Sequence, residues 1–137
     1  MASIIKLLLV DDDDIHLYIF KKIIEQCGYL VDLIAMDNCS AGITYLKDLN
    51  KNKGQFPDII FVDLNMPVLN GWDFLTAYNQ LEIKQNVLLY MLTSSIFDND
   101  IADSKSFPIL NGYYFKPITT GQLRNLFQEI LAARGAS

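Results

Sequence analysis

Ile4-Ile5-Lys6-Leu7-Leu8-Leu9-Val10-Asp11-Asp12-Asp13-Asp14 is an apolar run that stops at four consecutive acids, and that junction decides the reading of the chain. Near-continuous apolar character over a short run marks a strand covered on both faces, as in a parallel sheet. Adjacent carboxylates at its end repel one another and weaken the fold unless a cation stands among them. An oxygen-preferring divalent ion such as Mg²⁺ meets that need, because it binds through one or two carboxylates together with water and phosphate oxygens. A helix N-terminus also favours acids. Asp14 is read as such a cap and Asp13 as a rim residue, which leaves Asp11 and Asp12 for the cation.

Outward from this junction, short apolar runs alternate with amphipathic stretches. Tyr29–Met36, Asp58–Val62, Val87–Leu92 and Gly112–Phe115 read as further strands. Between them, Phe20, Ile23, Ile24 and Cys27 recur at helical spacing, as do Leu123, Leu126, Phe127, Ile130 and Leu131 after the capping candidates Thr119 and Thr120. Leu46 and Leu49 mark a second helix after Asn38 to Ser40, and Phe74, Leu75, Tyr78 and Leu81 a third. A fourth, around Asp98 to Ser106 before Pro108, is poorly patterned. Alternating strands and helices imply a doubly wound α/β domain, a five-stranded parallel sheet with helices on both faces and its ligand crevice at the carboxyl ends of the strands.

The 137 residues, 51% hydrophobic and 20% charged, suit one globular domain over 1–137, with a core from about 4 to 133 and a short tail. A net charge of −5 argues against a general electrostatic hold on nucleic acid or an anionic membrane. No apolar run approaches the ~20 residues of a membrane span, and the N-terminus lacks the pattern of a signal peptide. Cys27 and Cys39 match neither a disulfide framework nor a metal spacing, and Cys27, on a helical apolar stripe, reads as a buried free thiol, which points to the reducing cytoplasm.

Four polar clusters close four of the strands: Asp11-Asp12; Asp63-Leu64-Asn65-Met66-Pro67 with Asn70-Gly71; Thr93-Ser94-Ser95; and Lys116-Pro117. The fold brings these ends to one edge, where carboxylates, a hydroxyl and an ammonium converge on a site suited to a metal and a phosphoryl group. The combination Leu8-Leu9-Val10-Asp11-Asp12, Asp63-Leu64-Asn65-Met66-Pro67, Leu92-Thr93-Ser94 and Phe115-Lys116-Pro117 resembles the CheY-like receiver domain of bacterial two-component response regulators, over essentially the whole chain.

That resemblance implies a flavodoxin-like (βα)5 sheet of strand order 2-1-3-4-5. It makes Asp63 the phosphoacceptor, a carboxylate nucleophile that becomes an aspartyl phosphate. Asp12 is then the direct Mg²⁺ ligand, Asp11 its neighbour acting mainly through water, and Asn65 a ligand through its backbone carbonyl. Lys116 reaches the phosphoryl group as a point charge, and family members usually hold the bond to the following proline cis. Thr93 is the hydroxyl that follows the phosphate, and Tyr113 the aromatic switch that turns inward with it. The implied function is that of a stand-alone receiver, not a conventional enzyme. A histidine kinase or phosphotransfer protein would phosphorylate it, and it would signal through the fourth predicted helix, the fifth strand and the last helix to a protein partner, or relay the phosphate onward. Dimerisation on phosphorylation stays open.

Three other readings compete. An aspartate-nucleophile phosphatase of similar fold needs an acid two residues after the nucleophile, where this chain has Asn65, and a cap domain for which there is little room. A flavin-binding electron carrier needs a phosphate loop after the first strand, where these aspartates would repel a phosphate. A phosphate-independent receiver-like module would not need the full residue set. The segment from Ser95 to Leu110 departs from the usual family spelling. His16, the only histidine, has no metal-binding companion and is read as a surface residue.

Overall fold

The computed structural model describes residues 3–83, 85–94 and 108–135. The apolar runs pair side by side as parallel strands: β1 (Ile5–Val10), β2 (Val31–Met36), β3 (Ile59–Asp63), β4 (Leu88–Thr93) and β5 (Gly112–Phe115). Their order is β2-β1-β3-β4-β5. The winding therefore reverses between β1 and β3, and the ligand crevice opens where those two strands end. Register follows from the runs themselves, with Val10 beside Val62 and Asp63 beside Leu92.

Side chains alternate across the sheet, so each strand feeds two cores. On one face Leu8, Val10, Ile60, Val62, Leu89 and Met91 pack with the buried faces of α2 (Cys39–Asn52) and α3 (Gly71–Gln80). On the other, Leu7, Leu9, Ile59, Phe61 and Leu92 meet Phe20 of α1 (Asp14–Gln26) and Leu123, Phe127 and Ile130 of α4 (Thr120–Ala133). Fully burying a side chain of this size contributes about 1.5–3 kcal/mol, which is why β1, β3 and β4 are built largely of apolar residues. The fourth helix expected around Asp98 to Ser106 lies outside the described residues, as does Ser95.

Local chemistry sets where the helices begin. Asn38 accepts from the Ala41 N–H at 2.7 Å to cap α2. Asn70 with Asp73, and Thr119 with Gln122, form reciprocal capping boxes at α3 and α4. The cap of α1 corrects the expectation for Asp14. Asp13 is the N-cap, its carboxylate accepting from the N–H groups of Ile15 and His16 at 3.0 and 3.2 Å, and Asp14 is the first helical residue. Strand β2 starts at Val31 rather than Tyr29.

Gly71 opens α3 where that helix presses closest on the sheet. A Cβ there would lie 2.5 Å from the Met91 sulfur, 2.9 Å from the Leu64 Cα and 3.0 Å from the Asp63 carbonyl oxygen. Only glycine allows the helix to start against the end of β3. The Asn70-Gly71 pair thus combines a cap with a close approach, both directly behind Asp63.

Candidate functional site

The alternation that turns Leu9 and Phe61 toward the α1/α4 face continues two residues further to Asp11 and Asp63, at the ends of neighbouring strands. Both are buried, each about 3% exposed. Lys116, just past β5, reaches across the end of β4 to both of them. Its Nζ lies 3.0 Å from Asp11 Oδ2, 3.2 Å from Asp11 Oδ1 and 3.0 Å from Asp63 Oδ2. Its backbone N–H donates to the Thr93 carbonyl at 2.8 Å, so β4 holds the lysine in register with the site. The Lys116–Pro117 bond is cis.

Asp12 completes the acidic set from an exposed position, with carboxylate oxygens of Asp11, Asp12 and Asp63 all within 4.8 Å of one another. Asn65 is exposed, and its backbone N–H donates to Asp63 Oδ1 at 3.1 Å. Thr93 ends β4 and is buried. Tyr113 is half-buried on β5, packed against the α2/α3 core, with its ring edge-on to the exposed Phe115 at 5.6 Å.

The two buried carboxyls are driven in opposite directions. Burial pushes Asp63 up to about 6, opposed by the hydrogen bond from Lys116 and reinforced by the charge of Asp11. Burial also acts to raise Asp11, but hydrogen bonds from His16, the Asp13 N–H and Lys116 outweigh it and hold that carboxyl at about 2. Lys116 itself is raised: burial disfavours its charge, yet hydrogen bonds to Asp63 and Asp11 more than compensate. The outcome is an Asp11 whose charge is well supported by donors, a firmly held ammonium, and a partner carboxylate whose charge is poorly stabilised.

His16 corrects the expectation of a surface residue. It is 4% exposed, and its Nδ1 lies 2.5 Å from Asp11 Oδ2. Its signal was one turn upstream of the α1 stripe: His16, Phe20, Ile23, Ile24 and Cys27 share one face, so the ring inherits the inward direction of Phe20. Both cysteines are buried and free. Burial, with the charges of Asp73, Asp63 and Asp12, pushes the Cys39 thiol up to about 11, which keeps it from acting as a ligand or nucleophile at neutral pH.

The donor set fits a hard divalent cation. It offers only carboxylate oxygens, one of them on an exposed residue that leaves room for water, and an excess of negative charge over the single ammonium.

Comparison with known proteins is consistent with this geometry. The family model of the response regulator receiver domain matches residues 7–128. A two-component response regulator from Cytophaga hutchinsonii superposes with a TM-score of 0.83 at 28% identity, covering 96% of this chain and 99% of that one. The probable methanogenesis regulatory protein FilR2 of Methanothrix harundinacea is 26% identical over 125 residues, 90% of this chain and 79% of the relative. The two-component response regulator ARR14 of Arabidopsis thaliana is 26% identical over 134 residues, 93% of this chain but only 31% of that longer protein. Among the described residues, no helix is long and apolar enough to cross a membrane.

Proposed function

The chain belongs to the response regulator receiver domain family, and on that premise we propose that it is a Mg²⁺-assisted phosphoacceptor switch whose Asp63 takes the phosphoryl group. The observation that carries this reading is the Lys116 ammonium, 3.0 Å from the carboxylates of both Asp11 and Asp63. A cation held beside a buried nucleophile is placed to meet the anionic phosphoryl oxygens as they arrive.

In the proposed reaction an Asp63 carboxylate oxygen attacks phosphorus. The bond from phosphorus to the donor breaks, a P–N bond for a phosphohistidine or a P–O bond for acetyl phosphate, and its electron pair leaves with the imidazole or the acetate. The product is the mixed anhydride on Asp63. Attack of water on phosphorus later breaks the P–O bond to Asp63, regenerating the carboxylate and releasing inorganic phosphate. Asp11, Asp12, Asp63 and the Asn65 carbonyl would hold Mg²⁺, which when bound supplies positive charge against the carboxylates and the transferring oxygens. Lys116 follows the phosphoryl oxygens. Thr93 donates its hydroxyl to them, and Tyr113 reports the change on the surface of β5 and α4.

The phosphodonor is a histidine kinase or histidine phosphotransfer protein, as for receiver domains in general, and the output is a protein contact or an onward phosphotransfer. The chain acts as a single receiver module in the cytoplasm, a setting in keeping with its two free, buried thiols. Intact-protein mass after incubation with acetyl phosphate tests the reading. One phosphoryl group should be added, dependent on Mg²⁺ and absent from Asp63→Asn. Stoichiometric labelling of Asp63→Asn would overturn the assignment of the acceptor. No label and no response to beryllium fluoride would leave a receiver that works without phosphate.

A further inference from the structure

Receiver chemistry as proposed above has no use for a histidine, yet this chain buries its only one against the acidic site. Asp11 already accepts from the Asp13 N–H and sits against the Lys116 ammonium, the surroundings of a carboxylate, which can only accept, so the short contact to its Oδ2 is a hydrogen bond donated by His16 Nδ1–H. The other ring nitrogen, Nε2, is buried with no hydrogen-bond partner among the described residues. A leucine or methionine would fill the same space without stranding a polar atom, so the ring's position is accounted for by what Nδ1 does. Phe20 packs edge-on against the imidazole at 6.0 Å and against Phe61 at 5.6 Å, which locks the ring to the sheet.

The donors around Asp11 divide by atom. Oδ1 accepts from the Asp13 N–H at 2.9 Å, Oδ2 accepts from His16, and Lys116 Nζ spans both oxygens. If Lys116 leaves Asp11, each oxygen still keeps one donor. Without His16, departure of the ammonium would leave Oδ2 with no hydrogen-bond donor among the described residues inside a buried pocket. His16 and Lys116 also line a cleft of about 250 Å³ that extends to Ser94 and Pro117, so the lysine has space to shift without displacing the ring.

We propose that His16 is a positioning residue for phosphorylation of Asp63: its Nδ1–H is the standing donor that keeps Asp11 paired and in place when the Lys116 ammonium moves from Asp11 to the phosphoryl group. This role rests on the phosphoacceptor reading of Asp63. It ties the first turn of α1 directly to the chemistry.

The test compares wild type, His16→Leu and His16→Asn, whose amide can place a donor near the Nδ1 position. Labelling rates are measured against acetyl phosphate concentration at saturating Mg²⁺. His16→Leu should lower the maximal rate by about tenfold, the lower end of what loss of an orienting partner costs at a metal site, with little change in the half-saturating concentration. His16→Asn should recover most of that loss. Independently of turnover, the ring N–H resonance of the sole histidine should persist in the wild-type protein when Mg²⁺ and beryllium fluoride are added. Labelling of His16→Leu at the wild-type rate, no recovery in His16→Asn, or loss of the ring N–H signal with beryllium fluoride would overturn the role while leaving Asp63 as the acceptor. Should His16→Leu fail to fold, His16→Asn and the resonance decide between the two. A wild-type chain that takes no label and does not respond to beryllium fluoride removes the acceptor reading and this role together.

Discussion

Replacing Asp63 by asparagine should make the metal-free protein more stable at neutral pH, and the size of the gain follows from the site. Burial lifts the Asp63 carboxyl from an ordinary 3.8 to about 6. Its ionised form is therefore a burden that the folded state carries and the unfolded chain does not. Below pH 4 both states hold the proton and the burden is absent. Between pH 4 and 6 the unfolded chain ionises first, so stability falls as pH rises through that window, and above about pH 6 the loss is constant. At about 1.4 kcal/mol per pH unit the upper bound is about 3 kcal/mol. The site opens to solvent beside Lys116, which is 13% exposed, and water reaching the carboxylate there relieves part of the burial penalty and reduces the expected gain to about 1–2 kcal/mol. Asparagine keeps the shape and removes the charge. Urea unfolding followed by Trp72 fluorescence in EDTA, at pH 4, 5, 6 and 7, should show the two proteins matching at the acid end and separating toward neutrality. A difference that is absent at pH 7, or the same at every pH, would refute the reasoning.

Three further outcomes are expected. Mg²⁺ should raise the urea midpoint of the wild-type protein by mass action and that of Asp63→Asn by less, because one carboxylate of the set is gone; equal shifts would argue that Asp63 does not help to hold the ion. Gly71→Ala should lose about 1–3 kcal/mol, as overpacking does, because its Cβ would meet backbone at 2.9–3.0 Å; an unchanged midpoint in the same urea assay would contradict the close approach. Val68, in the loop after Asp63, has φ +68° and a side chain 99% exposed. Val68→Gly should remove about 1–2 kcal/mol of left-handed strain against roughly 0.5–1 kcal/mol of added chain entropy, a small net rise in midpoint; a fall would mean that the exposed valine makes contacts the fold depends on.

Much of this protein was legible along the chain because its signals are local. A strand covered on both faces must be apolar throughout, so Ile4–Val10, Ile59–Val62 and Leu88–Leu92 announced themselves. Right-handed crossovers leave few ways to order them, and the strand order β2-β1-β3-β4-β5 is the one that the family resemblance implies. The acids, the hydroxyl and the lysine stood at strand ends, and the topology had to bring those ends to one edge. Asp11, Asp63 and Lys116 do meet there.

What the chain alone could not state depends on distances between segments far apart in sequence. Asp14 reads as the cap because any of four acids could serve, whereas the phase of α1 against the sheet chooses Asp13. That same phase turned His16 inward, since a helix one residue out of step would face it to solvent. In the sequence Gly71 is only the second half of an Asn70-Gly71 pair; its close approach shows once α3 is seen lying against Leu64 and Met91. The inequality of the two buried aspartates is likewise tertiary. Identical side chains at the ends of neighbouring strands differ because Asp11 collects donors from the start of α1 and from Lys116, while Asp63, among the described residues, has Lys116 and one backbone N–H. Sequence determined which chemical groups the site contains and on which edge of the sheet they gather, because periodicity and residue type act locally. Packing decided which carboxylate is satisfied and which is left with a poorly stabilised charge, because burial and hydrogen bonding are properties of the assembled neighbourhood.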